Sequence, residues 1–450
     1  MIPLRRVLQL TLATATVLSL TALAPPPAGT RITDSAILSE QVAWNEVDSF
    51  VARHQGLGAE ALDRDPAVVA AWWRALPERD RLRMPGQMPD VIGNLAGVDY
   101  ASRDRSNRLQ LAAQLAAMEE LATYHALGGI MAQRYAALQA IERALNFQSV
   151  PRYLVELTDD QLPLAAISIG DLDTASMVTF AVPGMGTFTT DMQLWTRAAK
   201  NIYDAQAAAG ASRQAVVAWI GYRTPPVGVE ATRDSYADRG AELLERDIRG
   251  LRESRSGGYQ PTINIVAHSY GATTAAKTLR VDLGIRSFVM LGPAGVDTSV
   301  RSAGDLAAQF VFTGEARLDL QARWGRVDRT DPAGTQFGAL AIPVDGDTGA
   351  GLLAVTGHVP IIHSPWNDDP ESPAWTKYED ADVRTRLYEN HMVSFGYLDV
   401  GTQSLAEVGL VTTPPQVRAY GEGEAARRSS ASSVAGSLGA GVAESLRDPL

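Results

Sequence analysis

The stretch that most constrains the fold is residues 262–275, where a short apolar segment runs directly into small residues. Residues 263–266 have the length and the β-branched composition of a buried strand. The alanines and threonines after Gly271 favour a closely packed helix. Between the two, the sequence Ala-His-Ser-Tyr-Gly leaves room for a sharp turn with Ser269 at its tip. This pattern predicts a nucleophile elbow, which presents a serine hydroxyl at the end of a sheet beside a helix N-terminus.

The motif departs in one position from the usual form, G-x-S-x-G. Ala267 stands where the first glycine is expected. One added methyl group is a mild change, because the turn still has a small residue on either side of the serine. We therefore predict Ser269 as a nucleophile, and the alternative is a chance turn of small residues after a strand.

The composition of the chain argues against several classes of function. The chain has 450 residues, of which 46% are hydrophobic and 20% charged, enough for a sizeable core. A formal net charge of −11 argues against nucleic acid as a partner. The absence of cysteine excludes disulfides, zinc–thiolate sites and a cysteine nucleophile.

The amino terminus has the parts of a secretory signal. Arg5 and Arg6 precede an uncharged run, residues 7–24, that ends in Ala-Leu-Ala. Pro25 would follow the cleavage point and the run is long, so an uncleaved membrane anchor is the alternative. We expect an exported protein, either secreted or tethered to the membrane or cell envelope.

The periodicity of the chain divides it into successive regions. The predicted regions are a signal peptide or membrane anchor (1–24), a linker (25–34), a helical region (35–148), an α/β domain (150–411) and a low-complexity, disordered tail (412–450). Asp65-Pro66 is a helix start, with a capping aspartate and proline at the first helical position.

From residue 152 the period changes to that of strands. The candidate strands are 153–157, 164–169, 178–182, 214–220, 263–266, 287–291 and 309–313, and helical stretches at 190–210, 230–253 and 270–281 alternate with the later ones. This alternation predicts a mostly parallel, doubly wound sheet covered on both faces. An antiparallel lead-in, with Ser269 after the fifth strand, is the order of an α/β-hydrolase.

A glycine-containing loop, Pro183-Gly184-Met185-Gly186-Thr187, follows the third predicted strand. In this fold such a loop gives one backbone N–H to an oxyanion hole, and the residue after the nucleophile gives the other. We therefore predict Met185, Gly186 and Tyr270 as the oxyanion hole. A phosphate-binding loop is the alternative, but the lysine and Ser/Thr of a P-loop are missing.

Several stretches, taken in order, resemble one family. They are Trp72-Trp73 with Leu76, residues 91–97 (Val-Ile-Gly-Asn-Leu-Ala-Gly), Arg103-Asp104-Arg105 with Asn107-Arg108, residues 170–175 (Gly-Asp-Leu-Asp-Thr-Ala), 182–187, 217–222 (Val-Ala-Trp-Ile-Gly-Tyr) and 267–271. The chain from about 65 to 410 is similar to the actinobacterial α/β-hydrolase family catalogued as domain of unknown function 1023. The resemblance implies an α/β-hydrolase fold preceded by a helical region, and it implies no particular substrate.

The acid of a Ser-His-Asp triad should follow the strand that ends near residue 313. Glu315, Asp319, Asp328 and Asp331 are the candidates. The resemblance places an aspartate several residues after this strand, which matches Asp319. Glu315 is the second choice.

The histidine of the triad must come after the acid, which leaves His358, His363 and His391. The Tyr-Leu-Asp-Val-Gly-Thr sequence at 397–402 is similar to the stretch that follows the histidine in the family. The resemblance therefore favours His391, with His358 as the alternative. Residues 341–390 would then form an insertion before the histidine, either a cap over the site or an ordered surface loop.

These residues together predict a serine hydrolase that cleaves a carboxylic ester, such as a small-molecule or lipid acyl ester, through an acyl-enzyme. The mechanism needs no cofactor and no metal, and none is predicted. The alternative is a non-catalytic α/β-hydrolase domain that binds a ligand or partner at the cell surface.

Overall fold

An eight-stranded sheet forms the centre of the protein in the computed structural model, which describes residues 65–146, 150–365 and 367–414. The predicted signal segment, the linker, the first part of the helical region and nearly all of the predicted tail lie outside these residues. The strands are β1 (Arg152–Leu157), β2 (Ala165–Ile169), β3 (Met177–Val182), β4 (Gln214–Ile220), β5 (Thr262–His268), β6 (Ile285–Leu291), β7 (Ala308–Gly314) and β8 (Leu340–Ala341).

The strand order is β1-β2-β4-β3-β5-β6-β7-β8. β2 pairs antiparallel with both β1 and β4, and all other neighbours are parallel. This is an α/β-hydrolase sheet, so the predicted fold is confirmed. The first seven strands were predicted to within two residues at each end. The two-residue β8 was not predicted, because it is too short to carry a periodic pattern.

Helices precede the sheet and then alternate with its strands. They are α1 (Pro66–Ala75), α2 (Glu78–Gln87), α3 (Pro89–Ile92), α4 (Tyr100–Tyr124), α5 (Gly129–Leu145), α6 (Met192–Ala208), α7 (Ser235–Ser254), α8 (Tyr270–Thr278), α9 (Leu320–Trp324), α10 (Pro373–Thr376), α11 (Ala381–Met392) and α12 (Gln403–Thr412). The predicted helical N-terminal region is thus present. The Asp65 side chain caps α1 by accepting from the Ala67 N–H, as its sequence predicts.

The sheet has an apolar core on each face, as expected for parallel strands that are buried on both sides. α5, α6 and α12 contribute Leu138, Trp195 and Val408 to one core. α7 and α8 contribute Leu244 and Ala275 to the other. The loops after β3, β5 and β7 follow the carboxyl ends of parallel strands, where sites form in open α/β sheets.

Within the part of the chain that the structure describes, no helix combines the length and the apolar character needed to cross a lipid bilayer.

Candidate active site

Ser269 lies at the tip of a strained turn between β5 and α8. Its φ of 55° and ψ of −123° are unusual for a residue that carries a side chain. The turn is held on both sides, because the Ser269 N–H donates to the Leu291 carbonyl at 3.0 Å and the Ser269 carbonyl accepts from Ala272 at 3.0 Å. The backbone geometry predicted for a nucleophile elbow is therefore present.

Close packing explains why the residues around the serine are small. A Cβ on Gly271 would lie 2.6 Å from the carbonyl oxygens of Val182 and Pro183. A Cβ on Gly184, in the loop after β3, would lie 2.6 Å from Ser269 Cβ. Ala267 is fully buried yet fits at its position. The two glycines therefore allow the turn and the neighbouring loop to touch.

His358 connects the serine to an aspartate. Its Nε2 lies 2.8 Å from Ser269 Oγ. Its Nδ1 lies 2.8 Å from Oδ1 and 2.9 Å from Oδ2 of Asp319. Ser269, His358 and Asp319 are thus joined in one hydrogen-bonded chain, the arrangement that lets an imidazole accept a proton from a hydroxyl.

The expectation that His391 lies beside Ser269 is wrong. His391 lies in α11, and its Nε2 is 2.8 Å from Asp368 Oδ1. His358 takes the place beside the serine because its loop is held against the segment that contains Tyr397, whose N–H donates to the Val359 carbonyl at 3.2 Å. Residues 341–390 therefore contain the histidine of the site rather than precede it, and their role as a cap stays a prediction.

Asp319 is fully buried and has hydrogen-bond donors on both oxygens. Besides His358, the Ala322 N–H donates to Oδ1 at 2.8 Å and the Tyr397 hydroxyl donates to Oδ2 at 2.7 Å. Burial by itself raises the pKa of this carboxyl, but the contacts with His358 and the other two donors outweigh it, so that the pKa lies below its usual value. Asp319 is therefore held as a carboxylate.

Glu315, the second candidate acid, lies elsewhere. Its carboxylate pairs with Arg323, at 3.1 Å, and with Arg326. These ion pairs hold Glu315 against Arg323 and Arg326. Asp319, in contrast, caps α9, and its carboxylate lies against His358. Asp319, and not Glu315, is thus the acid that His358 connects to Ser269.

Tyr397 was not predicted as part of the site. Its hydroxyl donates to Asp319 and accepts from the Ala316 N–H at 2.9 Å, so it fixes the carboxylate relative to the loop after β7. Burial and the nearby Asp319 charge raise the pKa of Tyr397, which keeps the hydroxyl neutral and able to donate. In the sequence, Tyr-Leu-Asp is identifiable only as part of a family stretch. The contact of Tyr397 with Asp319 could not be predicted, because it depends on how the chain folds.

His268, inside the elbow, was also not predicted to support the site. Its Nε2 lies 2.6 Å from the backbone carbonyl of His358. Because a carbonyl oxygen only accepts, this nitrogen carries the proton. Burial, reinforced by the His358 ring, lowers the pKa of His268 to about 3, so the imidazole stays neutral.

The predicted oxyanion hole is partly corrected. The Gly186 N–H donates to the Pro225 carbonyl at 2.8 Å, which leaves it unable to stabilise an oxyanion. Gly186 instead serves the turn, with a φ of 74°. No acceptor for the N–H groups of Met185 and Tyr270 is found among the described residues. These two groups remain the candidate donors.

Comparisons with known proteins agree with this fold. A family model described as alpha/beta hydrolase matches residues 159–324, a range that includes Ser269 and Asp319 and ends before His358. This match agrees with the α/β-hydrolase fold of the structure.

An uncharacterized protein of Mycobacterium tuberculosis, found in strains CDC 1551 and H37Rv, is 28% identical over 60% of this chain and 49% of its own length. The chain thus spans about half the length of the curated relatives it matches. Among solved structures, a dienelactone hydrolase of Anabaena variabilis is 13% identical, with a TM-score of 0.31 over 54% of this chain and 95% of that chain. A fungal esterase of Rhizomucor miehei is 12% identical, with a TM-score of 0.32 over 62% and 95% respectively.

Proposed function

We propose that the protein is a serine hydrolase that cleaves carboxylic esters through an acyl-enzyme on Ser269. One observation carries the proposal: His358 Nε2 lies 2.8 Å from Ser269 Oγ while its Nδ1 lies 2.8 Å from the buried Asp319. A hydroxyl on a strained turn, next to an imidazole oriented by a carboxylate, is the geometry of an activated nucleophile.

In the first half of the reaction, Ser269 Oγ attacks the ester carbonyl while His358 Nε2 takes the hydroxyl proton. The carbonyl π electrons move to the oxygen, and the N–H groups of Met185 and Tyr270 stabilise this oxyanion. Asp319 stabilises the imidazolium by accepting from Nδ1. When the tetrahedral intermediate collapses, His358 gives the proton to the leaving alcohol, and the acyl group stays on Ser269.

In the second half, water replaces the alcohol. His358 Nε2 takes a proton from the water, whose oxygen attacks the acyl carbonyl. The intermediate then expels Ser269 Oγ, which recovers its proton from His358, and the carboxylic acid leaves. The residues of the chain return to their starting state, and the net reaction is ester hydrolysis.

Exposed apolar side chains near the site favour an acyl substrate. Val227 is 78% exposed, and it lies so close to Gly186 that a Cβ on this glycine would meet Val227 Cγ2 at 2.7 Å. Leu318, next to Asp319 in the chain, is 72% exposed. A hydrocarbon chain covering such side chains would gain about 25 cal/mol for each Å² of apolar surface removed from water. We therefore place lipid and other acyl esters ahead of peptides.

The proposal also includes export of the protein and its resemblance to the actinobacterial α/β-hydrolase family. The basic and apolar pattern of residues 1–24 favours secretion, and the actinobacterial family described above suits the order of motifs. A fusion of residues 1–34 to a reporter that is active only outside the cytoplasm tests export. A reporter that stays inactive contradicts it.

A fluorophosphonate probe tests the nucleophile, because it reacts only with an activated serine. We expect the wild type to be labelled and Ser269→Ala to be unlabelled. Loss of a triad nucleophile lowers turnover of a p-nitrophenyl ester by up to ~10⁶-fold. His358→Ala should be as inactive, whereas His391→Ala should still be labelled.

His125→Ala is the matched control for loss of a histidine, because His125 is exposed just after α4. A folded wild type that is neither labelled nor hydrolytic contradicts the proposal and favours the non-catalytic alternative. Equal loss of labelling in His391→Ala and His358→Ala, with both variants folded, contradicts the assignment of the histidine.

A further inference from the structure

Three side chains in the segment after His358 converge on one point. His363 Nδ1 lies 2.8 Å from Asp368 Oδ1, and His391 Nε2 lies 2.8 Å from the same oxygen. One nitrogen or oxygen of each residue lies within 4.8 Å of those of the other two. Two imidazoles and a carboxylate are a donor set that divalent zinc accepts.

The hydrogen bond at His363 Nε2 determines which nitrogen of this ring is available to a metal ion. His363 Nε2 lies 2.8 Å from the Ser394 carbonyl oxygen, which can only accept, so Nε2 carries a hydrogen. In the neutral ring, Nδ1 then has a lone pair that points at the Asp368 carboxylate. A positive charge between the two groups, either a proton or a metal ion, makes this contact favourable. Metal-binding histidines are typically held by this kind of outer hydrogen bond.

The cluster is also held in place by its surroundings. The Asp368 N–H donates to the Ser364 carbonyl at 2.8 Å, and the Asp368 carbonyl accepts from the Tyr388 hydroxyl at 2.8 Å. The His391 ring packs edge-on against Trp375, with centroids 4.9 Å apart. The side chains of His391 and His363 are only 9% and 18% exposed. The ligands are thus positioned before an ion binds. The Asp368 side chain is 35% exposed, so an ion can reach the cluster from solvent.

We propose that His363, Asp368 and His391 bind one Zn²⁺ ion, with water in the fourth position. Zinc lies about 2.0–2.1 Å from imidazole nitrogens, so tetrahedral ligands are separated by roughly 3.3 Å. The two 2.8 Å separations at Asp368 open by roughly half an ångström to reach that spacing, through small side-chain rotations.

The ion would join two segments of the chain. His363 lies five residues after His358, and Asp399 accepts from the backbone N–H groups of Ile362, His363 and Gly396. An ion on His363 and His391 adds a link between this loop and α11. The proposal does not depend on ester hydrolysis, because zinc binding is measured without a substrate.

The test is zinc binding by the full chain. The protein is stripped with EDTA, dialysed, and equilibrated with ZnSO₄, and bound zinc is measured by mass spectrometry. We expect one equivalent, and we expect the melting temperature to rise with zinc concentration. Co²⁺ in place of zinc should give the visible absorption bands of a four-coordinate site. His391→Gln keeps a hydrogen-bond donor toward Asp368 but removes the imidazole, so it should lose the zinc, and so should His363→Ala.

His125→Ala and His358→Ala should both keep the equivalent of zinc, which separates this site from a lone exposed histidine and from the Ser269 site. Zinc bound equally by the wild type and by folded His391→Gln overturns the proposal. So does a wild type that binds no zinc, since His363, Asp368 and His391 would then form a hydrogen-bonded network that shares protons.

Discussion

His268 Nε2 donates to the backbone carbonyl of His358 across 2.6 Å, so the elbow that presents the serine also positions the histidine. The two imidazole rings lie 4.8 Å apart between centroids. Because His268 directly precedes Ser269 in the chain, a shift of the elbow moves both partners of the Ser269–His358 hydrogen bond together. The short distance between Ser269 and His358 thus depends on this one local contact.

His268→Ala should therefore lower kcat for ester hydrolysis with little change in KM. Loss of this buried hydrogen bond is worth about 1–3 kcal/mol, which corresponds to a ~5–150-fold fall in rate if it acts on the transition state. Steady-state kinetics on a p-nitrophenyl ester measure the effect.

His268→Gln is the control, because a glutamine amide can donate to the same carbonyl. It should recover most of kcat at an unchanged melting temperature. Equal kcat in His268→Ala and the wild type would show that this contact does not position His358.

Gly184→Ala should abolish labelling by a fluorophosphonate. Its Cβ would lie 2.6 Å from Ser269 Cβ and 2.9 Å from the His268 carbonyl oxygen, so either the loop or the elbow must shift. Gly86→Ala is the matched control, since a Cβ there meets nothing within 4 Å. Labelling of both variants at the wild-type rate would contradict the close contact between the β3 loop and the elbow.

Tyr397→Phe tests the support of the acid. The change removes the donor to Asp319 Oδ2 and leaves the Ala316 N–H without its acceptor. A buried polar group without a partner costs about 1–3 kcal/mol, so we expect a ~5–150-fold fall in kcat/KM or a comparable loss of unfolding free energy in urea. Tyr388→Phe, which loses only its bond to the Asp368 carbonyl, is the comparison, and equal behaviour of both would argue against a role for Tyr397.

Local patterns were enough to predict the fold. The strand lengths, their alternation with helices and the small residues around Ser269 are all carried by neighbours in the chain. The position after β7 left four candidate acids, and the family resemblance selected Asp319 among them.

The histidine could not be found in this way. Three histidines follow the acid, and the choice among them depends on which loop folds back to Asp319. Contacts between Val359 and Tyr397, 38 positions apart, make that choice, and no local pattern records them. A resemblance in the stretch after His391 therefore led to the wrong residue.

The clearest effect of pH on stability should come from Glu156, in the buried second half of β1. Its side chain is buried, and its Oε2 has no hydrogen-bond partner among the described residues. Burial, with the charge of the nearby Asp247 adding to it, raises the pKa of Glu156 from 4.5 to about 8. In the folded protein the carboxyl is thus protonated at neutral pH.

Between pH 4.5 and about 8, the folded state therefore holds a proton at Glu156 that the unfolded chain has released. The stabilising contribution is complete below the unfolded pKa and is lost as the pH rises through the folded pKa, with a slope of up to about 1.4 kcal/mol per unit. Glu156→Gln, which stays neutral, should flatten this part of the pH profile of urea unfolding, whereas Glu142→Gln, at an exposed position of α5, should not. If the wild type and Glu156→Gln lose stability in parallel between pH 4.5 and about 8, Glu156 does not carry that proton, and its surroundings must be hydrated enough to hold a carboxylate.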